Sequence, residues 1–297
     1  MGKAIAEAFP VARDVFAEVD EALGQHLSRL MWQGPEGDLT LTENAQPAIM
    51  TASMAIIRML QKDAGLDLAR HARVVAGHSL GEYSALCAAG SFTIPEAARL
   101  VRLRGQAMQA AVPVGEGGMS ALIGIDIEAA EAAVKEASEL GVVVVANDNA
   151  PGQIVISGEQ AAVDKAGEIA KTKGARRVIA LAVSTPNHSP LLRSAGERMR
   201  DALEGVTIRP PAVPVVANVT ATEISDPDMI RRLLAEQVTS RVRWRESVLL
   251  FRSLGVAMSV EAGGNKVLSG MVKRIDKELE TVNLDSPAEI EAFAKTL

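Results

Sequence analysis

Gly77-His78-Ser79-Leu80-Gly81 lies between two segments of opposite character. Residues 72–76, Ala-Arg-Val-Val-Ala, are short, β-branched and apolar, the pattern of a buried parallel strand. Residues 82–89, Glu-Tyr-Ser-Ala-Leu-Cys-Ala-Ala, are rich in helix formers, and Gly90 behind them is a helix stop signal. A serine on so sharp a turn between strand and helix is held proud of the sheet, and the two glycines leave room for strand and helix to approach. Its hydroxyl then lies at a helix N-terminus, where backbone N–H groups stabilise a developing oxyanion. Ser79 is therefore read as a nucleophile.

Outward from this elbow, apolar spacing predicts helices over 7–23, 45–62 (capped by Thr42-Glu43-Asn44) and from Ser91–Pro95 to about 111. The rhythm then changes. Strands are predicted over 119–125, 142–146, 153–157 and 177–183, with helices over 127–140 and 160–173, giving the order βαββαβ in about 65 residues. Beyond it come strands over 213–218, 257–261 and 281–284 and helices over 228–237, 244–254 and 266–279. A last helix is announced by Ser286-Pro287-Ala288-Glu289, a capping box with proline at the first helical position. The expected fold class is α/β: a mostly parallel, helix-covered sheet (an α/β-hydrolase-like core) with an inserted ferredoxin-like βαββαβ subdomain. Residues 1–111 and 190–297 form the large part and 112–189 the small one.

The 297 residues, 48% of them hydrophobic, suffice for a sizeable core, built from aliphatic residues because only 3% are aromatic. A net charge of −6 without a dense basic tract argues against nucleic-acid binding. No run of 18 apolar residues spans a membrane, and residues 1–7 lack the apolar core of a signal peptide. The single cysteine, Cys87, fits a reducing compartment and reads as a small core residue. A cytoplasmic monomer is expected. The Asn218-Val219-Thr220 sequon then has no secretory context and reads as a strand end.

A nucleophilic serine needs a base, and there are four histidines. His26 falls at the end of a helical region, His71 at the wrong end of the elbow strand, and His78 too close to Ser79 in a tight turn. His188 remains, in Thr185-Pro186-Asn187-His188-Ser189-Pro190, a proline-braced loop leaving the C-terminal end of a strand. No aspartate announces itself as a third member. A Ser–His pair oriented by a carbonyl is sufficient, since the partner's task is to fix the tautomer. The residues alone leave acyl transfer and serine esterase or thioesterase chemistry both open.

Taken together, several blocks give the chain a further likeness: Thr42-Glu43-Asn44-Ala45-Gln46-Pro47-Ala48, the elbow through Glu82-Tyr83, Arg104-Gly105 with Met108-Gln109, and Val114-Gly115-Glu116-Gly117. Further on come Asn147 with Pro151-Gly152-Gln153, His188-Ser189, Gln237-Val238-Thr239-Ser240 and Trp244. On these, over nearly all its length, the chain resembles the malonyl-CoA:acyl-carrier-protein transacylases of fatty acid synthesis. The resemblance implies Ser79 as nucleophile, His188 as base and then acid, and the Gln237 main-chain carbonyl as the partner of His188. It also implies the Leu80 N–H in the oxyanion hole, Arg104 on the malonyl carboxylate, and Gln46, Asn147 and Asn187 along the substrate pocket. No bound cofactor or metal is implied. Malonyl-CoA is a substrate and an acyl carrier protein the partner. Because such carriers are acidic, Arg241, Arg243, Arg245 and Arg252 beside Lys266, Lys273 and Arg274 are candidates for steering.

Three departures from the family's pattern stand out. Its usual opening strand and Phe-Pro-Gly-Gln-Gly-Ser-Gln block, which supplies a second oxyanion-hole donor, has no counterpart before Met1. Loss of one such donor costs about 2.7–4 kcal/mol of transition-state stabilisation, and loss of a strand exposes an apolar edge. The expectation is therefore that Met1 is an alternative or misassigned start, with a truncated, carrier-binding paralogue as the non-enzymatic alternative. Asn187 stands where phenylalanine is common, which bears on acyl selectivity. Gly263-Gly264-Asn265-Lys266 replaces a usual Gly-Pro-Gly-Lys, and Arg241 a usual proline, which bears on loop shape.

Overall fold

The computed structural model describes residues 1–113, 115–183 and 185–297. Val114, in one of the family-like blocks, and Ser184, before the His188 loop, lie outside the described residues. Among those described, the strands are β1 (Val75–Ala76), β2 (Gly117–Ile123), β3 (Val143–Ala150), β4 (Gln153–Glu159), β5 (Arg177–Ala180), β6 (Val215–Val216), β7 (Glu223–Ile224), β8 (Met258–Ala262) and β9 (Glu280–Leu284). Helices separate most of them, so the molecule is α/β.

Where one mostly parallel sheet was expected, the described residues form two separate small sheets. β1 pairs parallel with β6, which pairs antiparallel with β7, and β8 pairs parallel with β9. β1 and β6 are shorter than their apolar runs suggest, and beyond Ala76 and Val216 the main chain leaves the ladder. The Gly77 carbonyl accepts from the Asn218 carboxamide at 2.7 Å, and the Ala217 N–H turns to Thr222 O. β8 is paired on one side only and leaves Met258 40% and Val260 38% exposed, an apolar open edge.

The remaining four strands form an antiparallel sheet of order β3-β4-β2-β5. Strict alternation along β2 sends Leu122 to one face and Met119 and Ala121 to the other. On the Leu122 face lie helices Ile127–Ala137 and Gln160–Thr172. They meet it through Ala130, Ala133, Ala137, Ala162, Ala166 and Ala170, all buried, which lets the helix axes come close. A parallel bridge, Asn147 to Val242, ties this sheet to the rest.

The larger core gathers the N-terminal helices around Thr42–Asp63 and Ile94–Ala111. The first predicted helix, 7–23, runs as Pro10–Leu23, behind a separate short helix Lys3–Ala8. Pro10 has no N–H to donate and forces Phe9 into an extended conformation (φ −125°, ψ 111°). The long helix begins at Thr42, inside the expected cap, because the Thr42 hydroxyl is engaged by Gln46 Nε2 at 2.9 Å instead of capping. Helix Arg193–Glu204, not anticipated, buries only Ala195, Gly196, Met199 and Leu203 among charged neighbours, a thin periodic signal.

Candidate active site

Ser79 adopts φ +54°, a left-handed conformation that L-residues rarely hold. Its hydroxyl is carried at the start of helix Gly81–Ala88. A Cβ at Gly77 would stand 1.9 Å from the Gly81 carbonyl oxygen, so only glycine permits this turn. The sequence argument gave Gly81 the same role, but a Cβ there would meet nothing; Gly81 contributes the backbone that Gly77 must clear. The Leu80 N–H, next to the serine, donates to no described residue. Asn218, fully buried at the end of β6, spans the turn: Ser79 N–H donates to its Oδ1 at 2.7 Å while its Nδ2 donates to Gly77 O.

His188 also has a positive φ (+59°) and is buried. Its Nε2 lies 2.8 Å from Ser79 Oγ and its Nδ1 2.9 Å from Gln237 O. A carbonyl can only accept, so Nδ1 carries the proton and Nε2 is the free base facing the serine hydroxyl. This is the orientation an aspartate would otherwise impose. Burial, with the Arg104 charge adding to it, pushes His188 down to about 3, so the imidazole is neutral across the physiological range. His78 faces away from Ser79: its Nε2 meets Asn149 Oδ1 at 2.8 Å and its ring packs on Trp244 at 5.7 Å. His26 and His71 are exposed.

Arg104 is 1% exposed and reaches the same point from helix Ile94–Ala111. The next residue explains how: a Cβ on Gly105 would stand 2.5 Å from Glu43 Cα, so glycine brings this helix into backbone contact with the start of Thr42–Asp63. That contact sets Arg104 beside Gln46. Arg104 Nη1 donates to Gln46 Oε1 at 2.7 Å, and Nη2 donates to Gln237 Oε1 and to Ser79 Oγ, each at 3.0 Å. Burial lowers the Arg104 pKa, yet a guanidinium stays a cation in proteins. Both side chains bound to its tips besides the serine are neutral amides, so its charge is open to an incoming anion.

Two of the expected pocket residues, Asn187 and Asn147, are not hydrogen-bonded to the cluster of Ser79, His188 and Arg104 among the described residues. Asn187 turns back into its own loop, its Oδ1 accepting from Thr185 Oγ1 at 2.5 Å, and makes no hydrogen bond to Ser79, His188 or Arg104. Asn147 is buried at an irregularity of β3 and its Nδ2 has no hydrogen-bond partner among the described residues. A cleft of about 430 Å³ reaches His188 between helix Ile127–Ala137, β3 and the Thr239–Arg241 segment.

The expected basic patch is largely neutralised. Arg241 pairs with Glu131 (2.7 Å), Arg243 with Glu246, Arg245 with the buried Asp148 (2.8 Å), Arg252 with Asp276 (3.1 Å) and Lys266 with Glu289 (3.5 Å). These partners lie on other strands and helices or a turn away, so the run of arginines alone did not reveal them. Sequence reasoning also missed Asn218, Asn149 and Glu82, and used Gln237 only for its main chain. A polar residue ending an apolar strand was the available signal for Asn218. For Glu82 it was an acid buried within a helix of small apolar residues. Among the described residues no group of three or more His, Cys, Asp or Glu side chains is placed to hold a metal ion.

What stands assembled is a neutral imidazole on a serine hydroxyl, an N–H beside it without a partner among the described residues, and a buried cation 3.0 Å from the serine oxygen. The family model described as an acyl transferase domain matches residues 1–283. The chain belongs to the acyl transferase family. This acyl transferase is 43% identical over 298 residues to the malonyl CoA-acyl carrier protein transacylase of Bacillus subtilis strain 168, covering 100% of this chain and 92% of that protein. The crystal structure of the acyl-carrier-protein-S-malonyltransferase from Bartonella henselae matches it with a TM-score of 0.97 at 49% identity, covering 100% of this chain and 94% of that one. A holo complex of a type II PKS acyl-carrier protein with its malonyl-transacylase is also similar, with a TM-score of 0.96 at 40% identity over 100% of this chain and 95% of that one.

Proposed function

We propose that this acyl transferase moves a malonyl group from malonyl-CoA to the phosphopantetheine thiol of an acyl carrier protein, in fatty acid synthesis. Its relatives bear that name, and the carrying observation is Arg104, a buried guanidinium 3.0 Å from the Ser79 hydroxyl. An esterase or thioesterase has no use for a cation there. A malonyl group ends in a carboxylate, which a guanidinium binds through two parallel hydrogen bonds. An acetyl group would leave the arginine buried without an anion, and selectivity follows from that difference.

In the first half-reaction His188 Nε2 takes the Ser79 proton as Oγ attacks the thioester carbonyl carbon. The Leu80 N–H donates to the resulting oxyanion. Collapse breaks the C–S bond, His188 returns the proton to the departing CoA sulfur, and malonyl-Ser79 remains. In the second half the carrier thiol gives its proton to His188 and attacks the ester carbonyl, and Ser79 leaves with that proton restored. The Gln237 carbonyl supports the transient imidazolium. In the free protein Arg104 opposes that positive charge; a malonyl carboxylate on Arg104 offsets it, so the correct substrate also improves the base.

We read the four-stranded sheet and its two helices as a ferredoxin-like unit, 112–189, inserted between 1–111 and 190–297 of an α/β-hydrolase-like body. The strand order and the short parallel ladder carrying Ser79 support this reading. No described helix is long and apolar enough to cross a membrane, and we place the reaction, which needs no bound cofactor, in the cytoplasm. The test is mass spectrometry of the protein after incubation with malonyl-CoA. A malonyl adduct present in the wild type and absent in Ser79→Ala is expected, with transfer to a holo carrier protein on its addition. No adduct would overturn the proposal, and an adduct lost to water but never to the thiol would favour the thioesterase reading.

A further inference from the structure

Glu82 is buried directly behind the nucleophile and takes no part in the steps above. Its Oε2 accepts from Gln237 Nε2 at 2.7 Å and from the Asn218 N–H at 3.2 Å; its Oε1 has no partner among the described residues. The Gln237 carboxamide is thus held from both ends. Arg104 is a donor only and requires the oxygen end, while Ser79 O, 2.9 Å from Nε2, is an acceptor only and requires the nitrogen end. Reversing the amide would turn N–H groups toward a guanidinium and an oxygen toward a carbonyl and a carboxyl.

We propose that Glu82 is a positioning residue for donor selectivity: it locks the Gln237 side chain so that Gln237 Oε1 orients the Arg104 guanidinium toward the acyl pocket. This rests on the malonyl-transfer reading of the same site. The location of the acid explains why an amide is interposed. A carboxylate in direct contact with Arg104 would neutralise it and compete with the substrate. From behind Gln237, Glu82 fixes the geometry and leaves the cation unpaired. Burial, opposed by the Gln237 and Asn218 hydrogen bonds and by Arg104, raises Glu82 to about 7, as expected for a carboxyl in so enclosed a place.

A purely structural role, such as an acid in the first turn of helix Gly81–Ala88, would lower all activities together by reducing the folded fraction. The readout is therefore the ratio of kcat/KM for malonyl-CoA to that for acetyl-CoA, in which the amount of active protein cancels. Glu82→Leu should lower this ratio about tenfold, chiefly through the KM for malonyl-CoA, while Glu82→Gln, which keeps an acceptor for Gln237 Nε2, should hold it within about threefold. If Glu82→Leu does not fold, Gln237→Met, which keeps the main-chain carbonyl on His188, should show the same fall. An unchanged ratio in Glu82→Leu, or in Gln237→Met where the former cannot be made, overturns the proposal. A wild-type protein that takes up no malonyl group defeats the functional reading instead, and that is seen before any variant is compared.

Discussion

Around Ser79, β1 and β6 contribute two residues each, and buried side chains complete the stitching: Asn218 to both sides of the elbow, Glu82 to Asn218 and Gln237, Gln237 to Arg104 and Ser79. In the four-stranded sheet, three strands of seven or eight residues are joined along most of their length by main-chain pairs over an alanine-rich helix layer. Main-chain pairing is redundant, since each bond is one of many and no side chain is needed to make it. The elbow has no such reserve. Each of its polar groups answers to one or two named partners, so single substitutions there should act strongly, whereas the sheet should absorb them.

Asn218→Ala tests the contrast most severely. It strands the Ser79 N–H and the Gly77 carbonyl in a buried place, and each unsatisfied group costs about 1–3 kcal/mol. Denaturant unfolding should show a loss of about 2–4 kcal/mol. With the strained turn no longer braced, acylation of Ser79 measured by stopped flow should slow about 10²-fold. Near-wild-type values would mean that the main chain alone holds the turn.

The next effect is a pH dependence. Glu82 titrates near 7 in the folded protein against 4.5 in an ordinary setting. A carboxyl raised on folding gives stability that is complete below 4.5 and lost as pH rises through 7, because the unfolded chain releases that proton earlier. Across that window the wild type should lose up to about 3 kcal/mol that Glu82→Gln does not lose. Parallel stability curves for the two proteins between pH 4.5 and 7.5 would show that Glu82 ionises normally. The smallest effect belongs to the sheet: Ile156→Val, in its buried core, should cost about 0.5–1.5 kcal/mol and leave the acylation rate unchanged. A change in rate would mean that packing in the sheet is transmitted to the elbow.

The elbow, the histidine that meets Ser79 and the order of most strands and helices were legible because each leaves a local mark: an apolar run ending in Gly77, a proline-braced loop at His188, a switch from helical to alternating periodicity near 117. What was not legible depends on partners far along the chain. Asn218 meets residues about 140 positions earlier and Arg245 meets Asp148 across 97. A run of arginines therefore looked like an open patch until their partners were in view. Strand lengths failed for a related reason: Val74 and Val213 carry β propensity, but a ladder runs only as far as a distant partner strand stays alongside, here two residues.

The segment from Arg241 to Arg245 bears on how substrate is admitted. Within five residues it makes an ion pair to Glu131, main-chain hydrogen bonds at Val242 to both Ala146 and Asp148, and a buried two-pronged contact from Arg245 to Asp148, while Trp244 packs on His78. Prising the four-stranded sheet away from the elbow would have to break all of these ties. Groups held by so many ties before substrate arrives have little left to order on binding. For a catalyst that must accept two thiol carriers in turn, contacts fixed in advance spare each exchange part of that ordering cost.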